Sequence, residues 1–445
     1  MNHGRSSQAA RIEGVACAGM VKAALVCTVG AEAALLLGGS RFIGLPGLAL
    51  VLLASAAWAF VAYDPGVDGQ PHLVALAIAG VFAIAIAVPP RASHDLWSYV
   101  MYGRIVTVHH ASPYLHPPSD YPLDPFVARI GRGWRGAKSV YGPLFTGVSA
   151  VLARLAGGSA LRARLEFQGL SALGVGGALL AVWRTTRSPR AVAFLGLHPV
   201  VVTAIVNGGH NDALVGLAVL AGALLAKRRR WYGAGFALGL GLLVKASSGL
   251  GLLGIAAWSL RRDRRGAMRL AGAAVATAVV GYVPAGTAAL RAGAHAESNG
   301  FTRGSALDLV ATVTQMNATI AFPLVLLFVG FVAYRKHAAS EPATTALATT
   351  AAYLITGAYV LPWYSAWALP AAAVERRSGL AALVAAHAAF LVAVYEYETP
   401  AHTTLTGVLA VMRTAVIQIG AWSAVVALVV GLALFRGVRA RRPGG

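Results

Sequence analysis

Residues 71–104 read PHLVALAIAGVFAIAIAVPPRASHDLWSYVMYGR. From His72 to Val88 the stretch is apolar, and Pro89-Pro90 stop it. Directly afterwards come His94-Asp95-Leu96-Trp97-Ser98-Tyr99 and then Gly103-Arg104. An apolar run close to the roughly 20 residues a bilayer requires reads as a membrane span, and the residues after it as its polar mouth. The chain holds only 16 acidic residues in 445, so a carboxylate at that mouth, among aromatic and basic neighbours, stands out.

Composition extends this reading to the whole chain. Hydrophobic residues make up 57% and charged residues 12%, with a mean hydropathy of +0.66. Val15–Leu37, Leu48–Tyr63 and Met268–Leu290 are further windows approaching or exceeding span length. A barrel is excluded because its strands would alternate every second residue. The expectation is an all-α polytopic membrane protein of about 13–14 helices, with a single integral membrane domain over 1–445 and no soluble domain. The net charge of +21 would suit nucleic acid, but the basic residues fall in short clusters between apolar spans. That is the signature of cytoplasmic loops, and it argues against nucleic-acid binding. Cys17 and Cys27 lie ten residues apart in the first apolar segment, too far to bridge on one helix. Arg5 and Arg11 precede that segment like the start of a signal peptide, but no small-residue cleavage site follows, so retained anchoring is expected.

Placing the basic clusters inside fixes a topology. Spans over 14–90 leave Pro90 outside, and 91–162 forms a large external loop. In it Gly142–Ala156 lies flat as an interfacial helix, because a crossing there would put Arg184–Arg190 and Lys227–Arg230 outside. The remaining spans occupy 163–435. Between Arg230 and Arg261 two short helices must meet at Lys245-Ala246-Ser247-Ser248, a broken hairpin of the kind tolerated only around a cavity. Residues 291–318, with His295, Glu297, Arg303 and Asp308, form a second external loop, followed by spans at 319–334 and 343–361 and a last one within 404–435.

Four polar sets then share the external side. They are Asp95 with His94, Tyr99 and Arg104; His210-Asn211-Asp212; Lys245 with Ser247 and Ser248; and Trp363-Tyr364. Charge at membrane depth is costly unless it faces a wet or protein-lined cavity, so convergence marks a functional site. Each residue also has a structural reading. Asp95 and Asp212 suit helix N-caps, Lys245 can snorkel to head groups, and Trp363, Tyr364 and above all Trp367 suit an aromatic belt. Tyr141-Gly142-Pro143 reads equally as a turn. His109-His110 and His116 lack a carboxylate pair, and no metal site is assigned to them.

Four motifs in order carry a family resemblance: His94-Asp95-Leu96-Trp97-Ser98-Tyr99 with Gly103-Arg104, Tyr141-Gly142-Pro143-Leu144-Phe145, Gly208-Gly209-His210-Asn211-Asp212-Ala213-Leu214, and Leu361-Pro362-Trp363-Tyr364 with Trp367 and Leu369-Pro370. Together they resemble the polyprenyl-phosphomannose-dependent α-1,6-mannosyltransferases of actinobacteria, which are GT-C type membrane glycosyltransferases. The resemblance implies a GT-C architecture in the plasma membrane with an extracytoplasmic site. It implies a polyprenyl-phosphate sugar donor, a glycolipid or lipid-linked mannan acceptor, and transfer with inversion. Asp95 takes the role of catalytic base. Arg104, Lys245 and His210 are candidates for the leaving phosphate, Tyr141 for a hydrogen bond to it, Trp363 and Tyr364 for stacking on sugar faces, and Asn211 and Asp212 for sugar hydroxyls, with His94 and Tyr99 beside the base. A common pattern pairs two acids in the first loop around a divalent metal; here Leu96 follows Asp95. No cofactor is therefore expected, with a divalent ion left open. The alternatives are a transporter or flippase of a lipid-linked glycan, which would need polar groups on a path to the inner face, and a transferase of another sugar such as arabinose.

Overall fold

The computed structural model describes residues 3–38, 45–91, 93–295, 341–357 and 359–396, with side chains in the first helix described from Gly19 onward. Most of the expected second external loop, the span at 319–334 and the last span within 404–435 lie outside the described residues.

The described residues are helical, with no strand among them. Three helices come first: α1 (His3–Leu37), α2 (Leu45–Tyr63) and α3 (Pro71–Ala87), the last two joined through a 3-10 turn at Pro65–Gly69. Next comes α4 (Asp95–Thr107), then an irregular loop with three short 3-10 turns, then α5 (Pro143–Ala156). The second half brings α6 (Ala160–Thr186), α7 (Pro189–Gly196), a π-helical turn at Val200–Val206, α8 (Asp212–Lys227), α9 (Trp231–Val244), α10 (Ser248–Arg262) and α11 (Arg264–His295). After the undescribed stretch stand α12 (Pro342–Thr356), a 3-10 turn at Pro362–Trp367, α13 (Leu369–Val374) and α14 (Gly379–Glu396).

Among the described residues four helices are long and apolar enough to cross a membrane, and five if α7 and the π-helical turn, bent by 48°, count as one broken span. Other expected spans take the form of apolar helices of 10–17 residues, α3, α9 and the apolar part of α14 among them. α5 buries Phe145, Thr146, Ser149, Ala150, Ala153 and Ala156 along one face and exposes Leu144, Val151 and Leu155. That one-sided pattern is the one expected of a helix packed along one face against its neighbours. The broken hairpin also forms as expected: α9 ends at Val244, Lys245 is extended, and α10 starts at Ser248.

Two ends of the bundle are chemically distinct. At one, Arg190 Nε donates to Asp68 Oδ2 at 2.8 Å, Ser188 donates to Asp68 Oδ1 at 3.1 Å, and Arg376 reaches Ser188 Oγ at 3.5 Å. Lys227 pairs with Glu341 at 3.1 Å. These segments are the ones that charge distribution assigns to a common side. At the other end gather Asp95, His210, Asp212 and Lys245. α8 runs from Asp212 to Lys227, and 16 residues at 1.5 Å rise separate the two ends by about 24 Å.

The start of α4 is held by side chains that the motif reading did not include. α3 stops at Ala87 because Pro89 and Pro90 cannot continue it, leaving its last carbonyls without helical partners. Gln168 Nε2 donates to the carbonyls of Ala85, Val88 and Asn207 at 2.7–3.1 Å. Asn207 Nδ2 donates to Ala85, Val88 and Pro89, while its Oδ1 accepts from Arg91 N–H. Arg164 adds two bonds to the Ala87 carbonyl. A break that would be costly in lipid is thereby satisfied, and it fixes where Asp95 begins the next helix.

Candidate functional site

Asp95 is the first residue of α4, with His94 at the N-cap position making no side-chain cap bond. The Asp95 N–H donates to Ser93 Oγ at 3.1 Å. Its carboxylate points across to the turn before α8, with Oδ2 3.8 Å from His210 Nδ1. His210 Nδ1 also lies 3.3 Å from the Tyr99 hydroxyl. Tyr99 sits one turn along α4 from Asp95, so both side chains leave the same face of the helix. The Tyr99 ring meets Tyr141 edge-on at 5.0 Å.

The left-handed turn that presents His210 depends on Gly209, whose φ is +65°. The His210 N–H closes back on the Ile205 carbonyl at 3.0 Å, and the ring stacks on Trp363 at 3.9 Å with 14° between planes. Asp212 opens α8 but caps nothing. Its Oδ1 accepts from Lys245 Nζ at 2.8 Å and from Trp367 Nε1 at 2.6 Å. Lys245 in turn lies over Tyr364 at 4.3 Å, Trp367 at 5.3 Å and Tyr141 at 5.9 Å. The ammonium therefore sits in an aromatic cage with one carboxylate partner.

Two glycines let these pieces approach. A Cβ at Gly142 would collide with the Leu243 backbone, and one at Gly216 with the Ala366 carbonyl. Gly142 N–H donates to the Val244 carbonyl at 2.9 Å. Tyr141-Gly142-Pro143 is thus a turn that docks on the α9–α10 break and carries Tyr141 to Lys245. The turn reading of that motif holds.

The electrostatics follow from this enclosure. Burial raises the Asp95 carboxyl to about 6; Lys245 pulls it down, Asp212 pushes it up, and the Ser93 contact lowers it slightly. The side chain keeps 26% of its accessible surface, so the enclosure is open on one side. His210 is fully buried, and burial together with Lys245 holds it well below the usual imidazole range. At neutral pH it is an uncharged hydrogen-bonding ring.

The expected site residues separate into two groups. Asp95, Tyr99, Tyr141, His210, Asp212, Lys245, Trp363 and Tyr364 are linked in one network by these contacts. Asn211 lies within it, between His210 and Asp212, 2% exposed. Trp363 gives a ring face to His210, and Tyr364 lies stacked on Trp367 at 4.4 Å and over Lys245. His94 is exposed beside Asp95. Arg104 stands apart: its Nε donates to both Asp124 oxygens at 2.9–3.0 Å and its Nη1 to the Gly157 carbonyl at 3.0 Å. It organises the loop, and the cation acting on Asp95 is Lys245. His109 bonds the same Asp124 at 2.9 Å, and His116 bonds Asp120 at 3.1 Å. No group of three or more His, Cys, Asp or Glu residues able to hold a metal occurs among the described residues.

One member of the site was missed in the sequence, and another has a neighbour the sequence did not suggest. Trp367, read as belt, is 2% exposed and donates to Asp212. Asp212, read beside sugar hydroxyls, is also the second carboxylate acting on Asp95. The second acid comes from another helix, beyond the reach of a pattern confined to one loop.

Residues 40–261 match the family described as alpha-(1->6)-mannopyranosyltransferase, N-terminal domain. Over 168 residues the chain is 23% identical to alpha-(1->6)-mannopyranosyltransferase A from Corynebacterium glutamicum, covering 37% of this chain and 34% of that protein. The alignment thus spans about a third of that curated relative's length. No solved structure matches. Asp95, Tyr99, Tyr141, His210, Asp212 and Lys245 all fall inside the stretch that matches the family. Through it the chain belongs to the alpha-(1->6)-mannopyranosyltransferase N-terminal-domain family, a family of glycosyltransferases.

Proposed function

We propose that this protein transfers mannose from a polyprenyl-phosphate donor to a lipid-linked mannan-type acceptor, at the extracytoplasmic face of the plasma membrane. Asp95 is the base. The acceptor hydroxyl oxygen bonds to the anomeric carbon as the bond from that carbon to the phosphate oxygen breaks. The electron pair of that bond leaves with the polyprenyl phosphate, and the hydroxyl proton passes to the Asp95 carboxylate. A single in-line displacement of this kind inverts the anomeric centre and needs no second carboxylate as nucleophile.

The observation that carries the reading is the setting of Asp95: partly open, raised to about 6, and facing a neutral His210 and the Tyr99 hydroxyl. A carboxylate with that affinity is ionised at pH 7 yet basic enough to accept a proton in the transition state. Lys245 stabilises the phosphate as it leaves, sharing its charge between Asp212 and the ligand. The tyrosine and tryptophan rings around it exclude water. No cofactor enters the scheme. A flippase would need a polar path to the other end, and there Asp68, Arg190 and Ser188 are committed to one another instead.

The experiment is transfer from labelled polyprenyl-phosphate mannose to lipid-linked mannan by the purified chain in nanodiscs. Asp95→Asn is expected to lower turnover about 10³-fold while the protein stays monodisperse. Near-normal turnover in that variant would remove Asp95 from the role of base.

A further inference from the structure

The turn before α8 has more hydrogen-bonding capacity than the protein uses. His210 and Asp212 are 0% exposed and Asn211 is 2% exposed. Yet His210 Nε2, both polar atoms of the Asn211 amide, and Asp212 Oδ2 have no hydrogen-bond partner among the described residues. Buried polar atoms in folded proteins are nearly always satisfied, so three consecutive residues with such atoms call for a ligand. Asn211 occupies the N-cap position but makes no cap bond, and so lacks the usual structural employment of that residue.

The chemistry of the set selects the ligand. The Asn211 amide offers two donors and an acceptor, Asp212 Oδ2 is an acceptor only, and one His210 ring nitrogen completes the group. An anion would be repelled by Asp212, and a cation would meet the Asn211 N–H groups. Adjacent hydroxyls, each donating and accepting, fit this mixed set. Asp212 Oδ1 is locked by Lys245 and Trp367, so Oδ2 is held as a rigid acceptor on the Lys245 side of the site.

We propose that Asn211 and Asp212, with His210 Nε2, recognise hydroxyls of the sugar carried by the donor rather than those of the acceptor. The inference rests on Lys245 receiving the donor phosphate, as in the function proposed above. The sugar attached to that phosphate then lies against Asp212, while Asp95 meets the acceptor across the His210 ring. Asn211 is a specificity residue with no structural task.

The test uses the full chain in nanodiscs and follows thermal unfolding with polyprenyl-phosphate mannose or with polyprenyl phosphate alone. The wild type is expected to unfold at higher temperature with the mannosylated lipid than with the bare one. Asn211→Ala should unfold, without lipid, at the wild-type temperature or above, lose the sugar-dependent increment, and transfer mannose about 100-fold more slowly. Asp212→Asn should lose the increment as well; Asn211→Ala keeps the test valid if that variant fails to fold. An Asn211→Ala protein that is destabilised without lipid, or that keeps the full increment, overturns the inference alone. A wild type that binds both lipids equally overturns the inference together with the donor reading.

Discussion

At the scale of single residues, Asp95 as the proposed base should set the pH behaviour. Its carboxyl is raised from 3.8 to about 6, so transfer is expected to fall about tenfold per pH unit below 6. A pH–rate profile of kcat/KM checks this. Lys245→Gln removes the group that pulls Asp95 down, so the acid limb should move to higher pH in that variant. An unchanged limb would mean that Lys245 does not act on the base. The same shift has a stability consequence of opposite sense. An acid raised on folding binds protons more tightly in the native state, so its contribution is present below about pH 4 and is lost as pH rises through 6. The loss is about 3 kcal/mol at most, and less given the open side of the carboxylate. Asp95→Asn should therefore be at least as stable as wild type at pH 7, measured by thermal unfolding, even as activity disappears. Loss of both together would point to misfolding.

Among elements, the breaks matter more than the helices. The end of α3 is satisfied by Gln168, Asn207 and Arg164 across sequence separations of 77 residues or more. Gln168→Leu leaves buried carbonyls with fewer donors and should cost about 2–3 kcal/mol. Because those bonds position α4, transfer should fall with it, and unfolding temperature and turnover measured on the same preparation will show whether they move together. Gly142→Ala places a methyl against the Leu243 backbone. The α9–α10 break must then shift, at about 1–3 kcal/mol, carrying Tyr141 away from Lys245. The expected signature is a larger loss of turnover than Asn211→Ala produces, accompanied by a lowered unfolding temperature. The apolar run to Val88, the two prolines and the broken hairpin at Lys245 were plain in the sequence because periodicity and charge mark them locally. Gln168 and Asn207 were not, because a polar residue inside an apolar span shows no sign of which distant carbonyl it satisfies.

For the molecule as a whole, the arrangement is two-ended. His94 and Arg377 are both exposed, the first beside Asp95 and the second next to Arg376 in the cluster around Ser188. Single cysteines at these positions in intact cells should label from opposite sides, His94→Cys with an impermeant reagent and Arg377→Cys only after permeabilisation. Labelling of both from one side would end the proposed orientation. Charge clusters alone assigned the segments to two sides, since each basic loop carries its address in composition. They also carried Asp95, His210, Asp212 and Lys245 to a common side. Tertiary structure decided the connections. Arg104 turned to Asp124, while Trp367 left the expected belt to bond Asp212. The lysine from the broken hairpin became the charge that pulls on the Asp95 carboxyl. Composition and periodicity determine which segments enter lipid, because burial in a bilayer depends on each segment's own residues. Which polar groups pair depends on contacts between helices far apart in the chain, and those exist only once the helices have packed.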